Sequence, residues 1–137
     1  MPKFGTRSKR NLSEALVDLQ KIFEHVIKYF DCSIIEGHRG EEEQNKAYYS
    51  GKSQIKYPNG KHNKQPSEAV DAVPYPINWN DTKRMIYFAG FVVGIAQWMY
   101  DRNEITHLIR WGGDWNSNFD LNDQTFIDYP HFEIIKP

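Results

Sequence analysis

Apolar positions along the chain follow two spacings. Leu12, Leu16, Leu19, Phe23, Val26, Ile27 and Phe30 recur every three or four residues, the period of one helix face. Asn11, followed three residues later by Glu14, resembles a capping box with Asn in place of Ser or Thr. This spacing predicts one helix over residues 11–30, and His25, beside the stripe, reads as a boundary residue. A second stripe, Met85, Phe88, Ala89, Val92, Val93, Ala96 and Met99, predicts a long helix that runs to about Tyr100 with Asp81 as its N-cap. Gly90 and Gly94 interrupt it at a cost of ~1 kcal/mol each, which a close approach by another element would offset.

Short apolar runs bounded by Gly or Pro predict strands over 33–36, 69–73, 108–111 and 131–135. Gly37-His38-Arg39-Gly40 breaks the first, and Pro74 and Pro76 end the second. Residues 41–50 predict a polar helix, and Gly51 suits the left-handed position that follows it. Residues 52–68 contain Pro58, Asn59, Gly60 and Pro66 and no periodicity, which predicts a long loop of the kind that often carries function. An aromatic loop rich in Asn and Asp separates the last two strands. Helices mixed with short strands point to the α+β class. No repeat, low-complexity tract or linker divides the chain, so one domain over 1–137 is expected.

Composition narrows the function classes. Seventeen basic and 18 acidic residues give a net charge of -1, with no electrostatic case for nucleic acid or an anionic membrane. The cluster Lys3, Arg7, Lys9 and Arg10 is short and reads as a solvated end. The apolar run from Phe88 to Met99 is broken by Gly90, Gly94 and Gln97 and falls short of the ~20 residues of a membrane span. No apolar segment follows the basic N-terminus, so no signal peptide and no membrane insertion are expected. Cys32, the one cysteine, lies in Cys32-Ser33-Ile34-Ile35 and reads as a buried small hydrophobe.

Three segments offer metal ligands: His62 on the long loop, Asp71 within Ala69-Val70-Asp71-Ala72-Val73, and Asp128-Tyr129-Pro130-His131-Phe132-Glu133. An aspartate among small apolar residues on a short strand needs a strong partner, because burying a lone charge is very costly. Zinc takes His and carboxylate ligands, and catalytic sites commonly use three of them with water in the fourth position. His62, Asp71 and His131 supply such a set, although no single spacing among them is diagnostic.

The motifs Ser33-Ile-Ile-Glu-Gly-His-Arg39, Lys61-His62-Asn63, Pro66-Ser67-Glu68-Ala69-Val70-Asp71, Trp111-Gly-Gly-Asp-Trp115 and Asp128-Tyr-Pro-His131 occur in order. Together they resemble the zinc D-Ala-D-Ala carboxypeptidase family (peptidase M15), especially its phage L-alanyl-D-glutamate endopeptidases, or endolysins. The resemblance runs from about residue 12 to residue 135. It departs from the commonest pattern in a wider gap between His62 and Asp71, where residues 63–68 carry the extra length.

The resemblance implies a small α+β domain of the hedgehog/DD-peptidase type, with helices flanking an antiparallel sheet that carries a zinc site. It implies Zn2+ on His62, Asp71 and His131, Asp128 as general base, and Arg39 as the group that binds substrate and stabilises the oxyanion. The implied substrate is the bacterial peptidoglycan stem peptide, cut at L-Ala-D-Glu. The enzyme would be a monomer, made in the host cytoplasm and released through a holin pore. A D-Ala-D-Ala carboxypeptidase, or a zinc-stabilised wall-binding or virion module without turnover, are the other readings. A metal nuclease fits the near-neutral charge poorly.

Ordinary roles compete at each position. Arg39 could be a surface ion-pair partner for Glu41, Glu42 or Glu43, and Asp128 a cap for the turn before Pro130. Glu133 competes for the base role, but it lies two residues from His131 and so shares its face of a strand. That favours a carboxylate that orients the histidine. Trp111, Asp114 and Trp115 read as core and turn, with Trp115 a candidate wall of the substrate cleft. His38 points away from Arg39 if the strand continues, and His107 reads as structural.

Overall fold

The computed structural model describes residues 1–137. In chain order the elements are α1 (Thr6–Ser13), α2 (Val17–Val26), β1 (Cys32–Glu36), α3 (Glu41–Tyr49), a 3-10 turn (Lys61–Asn63), β2 (Ala69–Pro74), α4 (Thr82–Asp101), β3 (Leu108–Trp111) and β4 (His131–Ile135). The strands form one antiparallel sheet in the order β1-β2-β4-β3.

Alternation along the strands separates two faces. Val70 and Ala72 of β2 and Phe132 and Ile134 of β4 enter the apolar core with Leu19, Ile22, Phe23 and Val26 of α2 and Phe88, Ala89, Val92 and Ala96 of α4. Phe132 meets Phe23 and Phe88 edge-on at 5.6 and 6.1 Å between ring centroids. Each fully buried side chain of this kind stabilises the fold by ~1.5–3 kcal/mol. The intervening residues Asp71, His131 and Glu133 occupy the other face, and all three are buried.

The single helix expected over 11–30 is two helices. Leu16 adopts an extended backbone (φ -54°, ψ 148°), its N–H donates to the Ser67 carbonyl, and Ser67 N–H donates to Glu14. This bridge to the segment before β2 outweighs the continuous helical stripe. No capping box forms. Asn11 lies inside α1 and donates to the Ile34 carbonyl, while Glu14 accepts from the His38 N–H. The basic side chains of the N-terminal segment are exposed, but its backbone is a helix whose buried Ser8 hydroxyl accepts from Ile34 N–H.

Asp81 caps α4 by accepting from Arg84 N–H, and Gly51 takes a φ of 85° after α3. Gly90 and Gly94 admit no close neighbour. They are exposed, with open space where a Cβ would stand. No helix is long and apolar enough to cross a membrane.

Candidate metal centre

Asp71 and His131 face each other across β2 and β4, so the sheet register alone brings two of the candidate ligands together. The third, His62, sits on the 3-10 turn, which gives the 52–68 segment more order than its sequence predicts. This turn is tied in place by Arg39 N–H donating to the His62 carbonyl and by Asn63, whose amide donates to the Arg39 carbonyl and whose Oδ1 accepts from Gly60 N–H.

His62 Nε2 lies 3.1 Å from Asp71 Oδ1 and 3.2 Å from His131 Nδ1, and His131 Nδ1 lies 3.4 Å from Asp71 Oδ1. The outer nitrogens are engaged elsewhere. His62 Nδ1 donates to the Gly37 carbonyl at 2.7 Å, and His131 Nε2 donates to Glu133 Oε1 at 2.7 Å. In those tautomers two nitrogen lone pairs and a carboxylate oxygen converge with no hydrogen between them. Such a group repels itself unless a proton or a metal cation stands at its centre. Tetrahedral zinc with bonds of about 2.0 Å separates its ligand atoms by about 3.3 Å, so the triangle fits a zinc ion.

The electrostatics agree with a demand for positive charge. Burial acts to raise the Asp71 carboxyl, but the charges and hydrogen bonds of His62 and His131 hold it well below the usual range. Burial acts to lower His131, and hydrogen bonds to Asp71 and Glu133 overcome it and push its pKa up to about 9. Asp128 Oδ2 lies 4.0 Å from His131 Nδ1. Burial and then the Asp71 charge raise the Asp128 carboxyl, against the opposing charges of His131, His62 and Lys52.

Arg39 is 6% exposed and is not a surface partner of Glu41, Glu42 or Glu43. Its guanidinium binds Glu36, donates to Gln44 Oε1 at 3.1 Å and lies 3.7 Å from Asp71 Oδ2. Strand alternation alone would send Glu36 into the core with Ile34. A bulge between the two puts Glu36 opposite Asp71 instead, on the site face.

Arg39, His62, Trp115, Asp128, His131 and Glu133 all line one groove of about 560 Å³. The Trp115 ring lies 5.5 Å from the His131 ring, and its Nε1 donates to the Phe126 carbonyl. Trp111 is buried and stacked on Tyr129, and Asp114 accepts from the backbone of residues 118 and 119 in a turn. His107 binds Asp18, and His38 is half-buried outside the cluster. Cys32 is buried, and burial, with help from Asp31, pushes its thiol up to about 12, where it is inert.

Sequence reasoning missed four supports. Glu36 and Gln44 hold Arg39, and Arg110 holds Glu133 with contacts of 3.2 and 2.7 Å. Gly112 admits the backbone of Asp128. The Arg110–Glu133 pair carries a signal, since opposite charges stand opposite each other on adjacent strands. Gln44 carries a weaker one, three residues before Ala47 on the one buried face of a polar helix.

The solved structure of Serratia marcescens L-Ala D-Glu endopeptidase ChiX shares this fold, with a TM-score of 0.71 and 24% sequence identity over 97% of this chain and 90% of that one. No curated protein matches the sequence. The family described as phage L-alanyl-D-glutamate peptidase matches residues 1–135. With that match spanning nearly its whole length, the chain belongs to the phage L-alanyl-D-glutamate peptidase family.

Proposed function

We propose that this domain is a zinc-dependent endopeptidase that hydrolyses the L-Ala-D-Glu amide of peptidoglycan stem peptides during phage-driven host lysis. The observation that carries the reading is the buried His62–Asp71–His131 triangle, with Asp128 and Arg39 in the same groove, in a chain of this family. His62 Nε2, Asp71 Oδ1 and His131 Nδ1 would hold the ion. A bound zinc would lower the pKa of a water to ~7 and polarise the scissile carbonyl.

The chain's own residues supply the rest. Asp128 takes the proton of the attacking water on its carboxylate and returns it to the leaving amine, a task suited to a carboxyl whose burial and neighbours raise its pKa. Arg39, fixed by Glu36 and Gln44, offsets negative charge on the tetrahedral carbon's oxygen. Loss of such a donor costs ~2.7–4 kcal/mol in the barrier. Glu133 fixes the His131 tautomer, and Trp115 forms a wall of the cleft. The protein acts as a monomer and reaches the wall from the host cytoplasm through a holin pore.

The test is a digest of purified peptidoglycan with zinc and with a chelator, read by mass spectrometry. A zinc-dependent cut that leaves a new N-terminal D-Glu is the expected result. Release of D-Ala alone would reassign the protein as a carboxypeptidase. Binding to walls without cleavage under either condition would make it a non-catalytic module.

A further inference from the structure

Four cationic side chains line the groove: Arg39, Lys52, Lys61 and Arg110. Three are already engaged. Arg39 binds Glu36, Arg110 binds Glu133, and Lys61 donates to the Ile134 carbonyl at 2.7 Å with Glu68 at 3.6 Å. Lys52 forms no hydrogen bond or ion pair, and its side chain is exposed at the groove edge.

Its place there is built. Gly51, in the left-handed region, turns the chain at the end of α3. Ser53 N–H then returns to the Ala47 carbonyl. The buried Gln44 amide donates to Ser53 Oγ at 3.0 Å and to the Ile55 carbonyl at 2.6 Å, while its Oε1 accepts from Arg39. One side chain therefore fixes both the Arg39 guanidinium and the segment that carries Lys52. Lys52 and Asp128 line the same groove.

In a stem peptide, D-Glu continues the chain through its γ-carboxyl, so its α-carboxylate stays free. That carboxylate sits on the carbon that bears the scissile nitrogen. The leaving amine must lie beside Asp128 to collect its proton, which brings the free carboxylate to the same end of the groove. An unpaired cation in the same groove meets this need, whereas Arg39 serves the oxygen of the scissile carbonyl and Lys61 and Arg110 are paired with Glu68 and Glu133.

We propose that Lys52 is a specificity-determining residue that receives the free α-carboxylate on the amine side of the scissile bond. The inference rests on the endopeptidase reading above. The contact is a charge-assisted hydrogen bond at a partly solvated edge, so its contribution is a modest factor in KM and not an all-or-none requirement.

The test compares two soluble stem peptides, one with D-Glu and one with its α-amide, D-isoglutamine, under wild-type enzyme, Lys52→Met and Lys52→Arg. Wild type is expected to favour the carboxylate in kcat/KM by about two- to fivefold. Lys52→Met is expected to bring that ratio near one, mainly through KM, and Lys52→Arg to keep it. A ratio unchanged in Lys52→Met, or no wild-type preference while both peptides are cut, overturns the role of Lys52 and leaves the endopeptidase reading standing. If wild type cuts neither peptide and leaves intact peptidoglycan uncut at L-Ala-D-Glu, the endopeptidase reading itself fails.

Discussion

His131 and Glu133, two positions apart on one face of β4, are joined by a 2.7 Å hydrogen bond from the histidine Nε2 to the carboxylate. This bond turns His131 Nδ1 toward Asp71 and His62 and fixes the tautomer in which that nitrogen is a free donor of electrons. Arg110 in turn binds the second oxygen of Glu133. Glu133→Ala is therefore expected to weaken metal binding by about 10–100-fold, the usual cost of losing a group that orients a ligand histidine. Competition against a chromophoric chelator measures it. Unchanged affinity in a folded variant would show that Glu133 does not orient the ligand.

Asp128 and His131 are close in the groove but have different tasks in the proposed reaction. His131→Ala should lose both metal and activity. Asp128→Ala should keep the metal and lose activity by about 10²–10⁴-fold, the range for a general base. Metal content and stem-peptide turnover, measured on the same preparations, separate the two. Wild-type turnover in Asp128→Ala would remove Asp128 from the mechanism.

Much of this arrangement was legible because it follows from strand periodicity. Asp71 was conspicuous as a carboxylate in a small apolar strand, and Glu133 shares a face with His131 by alternation alone. The α4 stripe and its Asp81 cap needed only local spacing. What escaped depends on contacts distant in sequence. The break between α1 and α2 is made by Ser67, and the exposed position of Gly90 and Gly94 depends on which way α4 faces the sheet. The bulge that turns Glu36 toward Asp71 leaves no mark in the strand's composition. From local sequence alone Arg39 reads as a surface group beside Glu41, Glu42 and Glu43, and only the family resemblance assigns it to the site, because nothing local reveals that Gln44 and Glu36 bury it.

Gly112 is the point at which the β3 turn meets the segment before β4. Its N–H donates to the His131 carbonyl, and its carbonyl accepts from Asp128 N–H, each at 2.8 Å. A Cβ on Gly112 would overlap the Asp128 carbonyl oxygen, which is backbone and cannot swing aside. Gly112→Ala should therefore displace Asp128 and destabilise the fold by about 1–3 kcal/mol, the usual cost of overpacking. Turnover should fall more than metal content does, since the ligand triangle depends on β2, β4 and the 3-10 turn. Thermal unfolding, metal analysis and turnover on one preparation check this, and wild-type values in all three would refute the steric argument.

Asp18 carries a separate, pH-dependent link between α2 and the start of β3. One carboxylate oxygen accepts from Thr106 N–H, the Thr106 hydroxyl, His107 N–H and His107 Nδ1. Burial acts to raise this carboxyl, but the His107 and Thr106 hydrogen bonds and the His107 charge hold it below its ordinary value. A carboxyl lowered by folding stabilises the native state above its unfolded pKa of ~3.9, and that contribution is lost as pH falls through the folded value. Asp18→Asn should therefore be less stable than wild type by about 1 kcal/mol near neutral pH, because the amide keeps an acceptor oxygen but loses the charge that strengthens these hydrogen bonds. The gap should narrow as pH falls from about 3.9, where the unfolded carboxyl takes up its proton, and close only below the lower folded value, where the native carboxyl is protonated too. Urea unfolding of the pair at neutral and acid pH measures the gap directly. A gap that stays constant into acid would mean that the link depends on packing and not on the charge of Asp18.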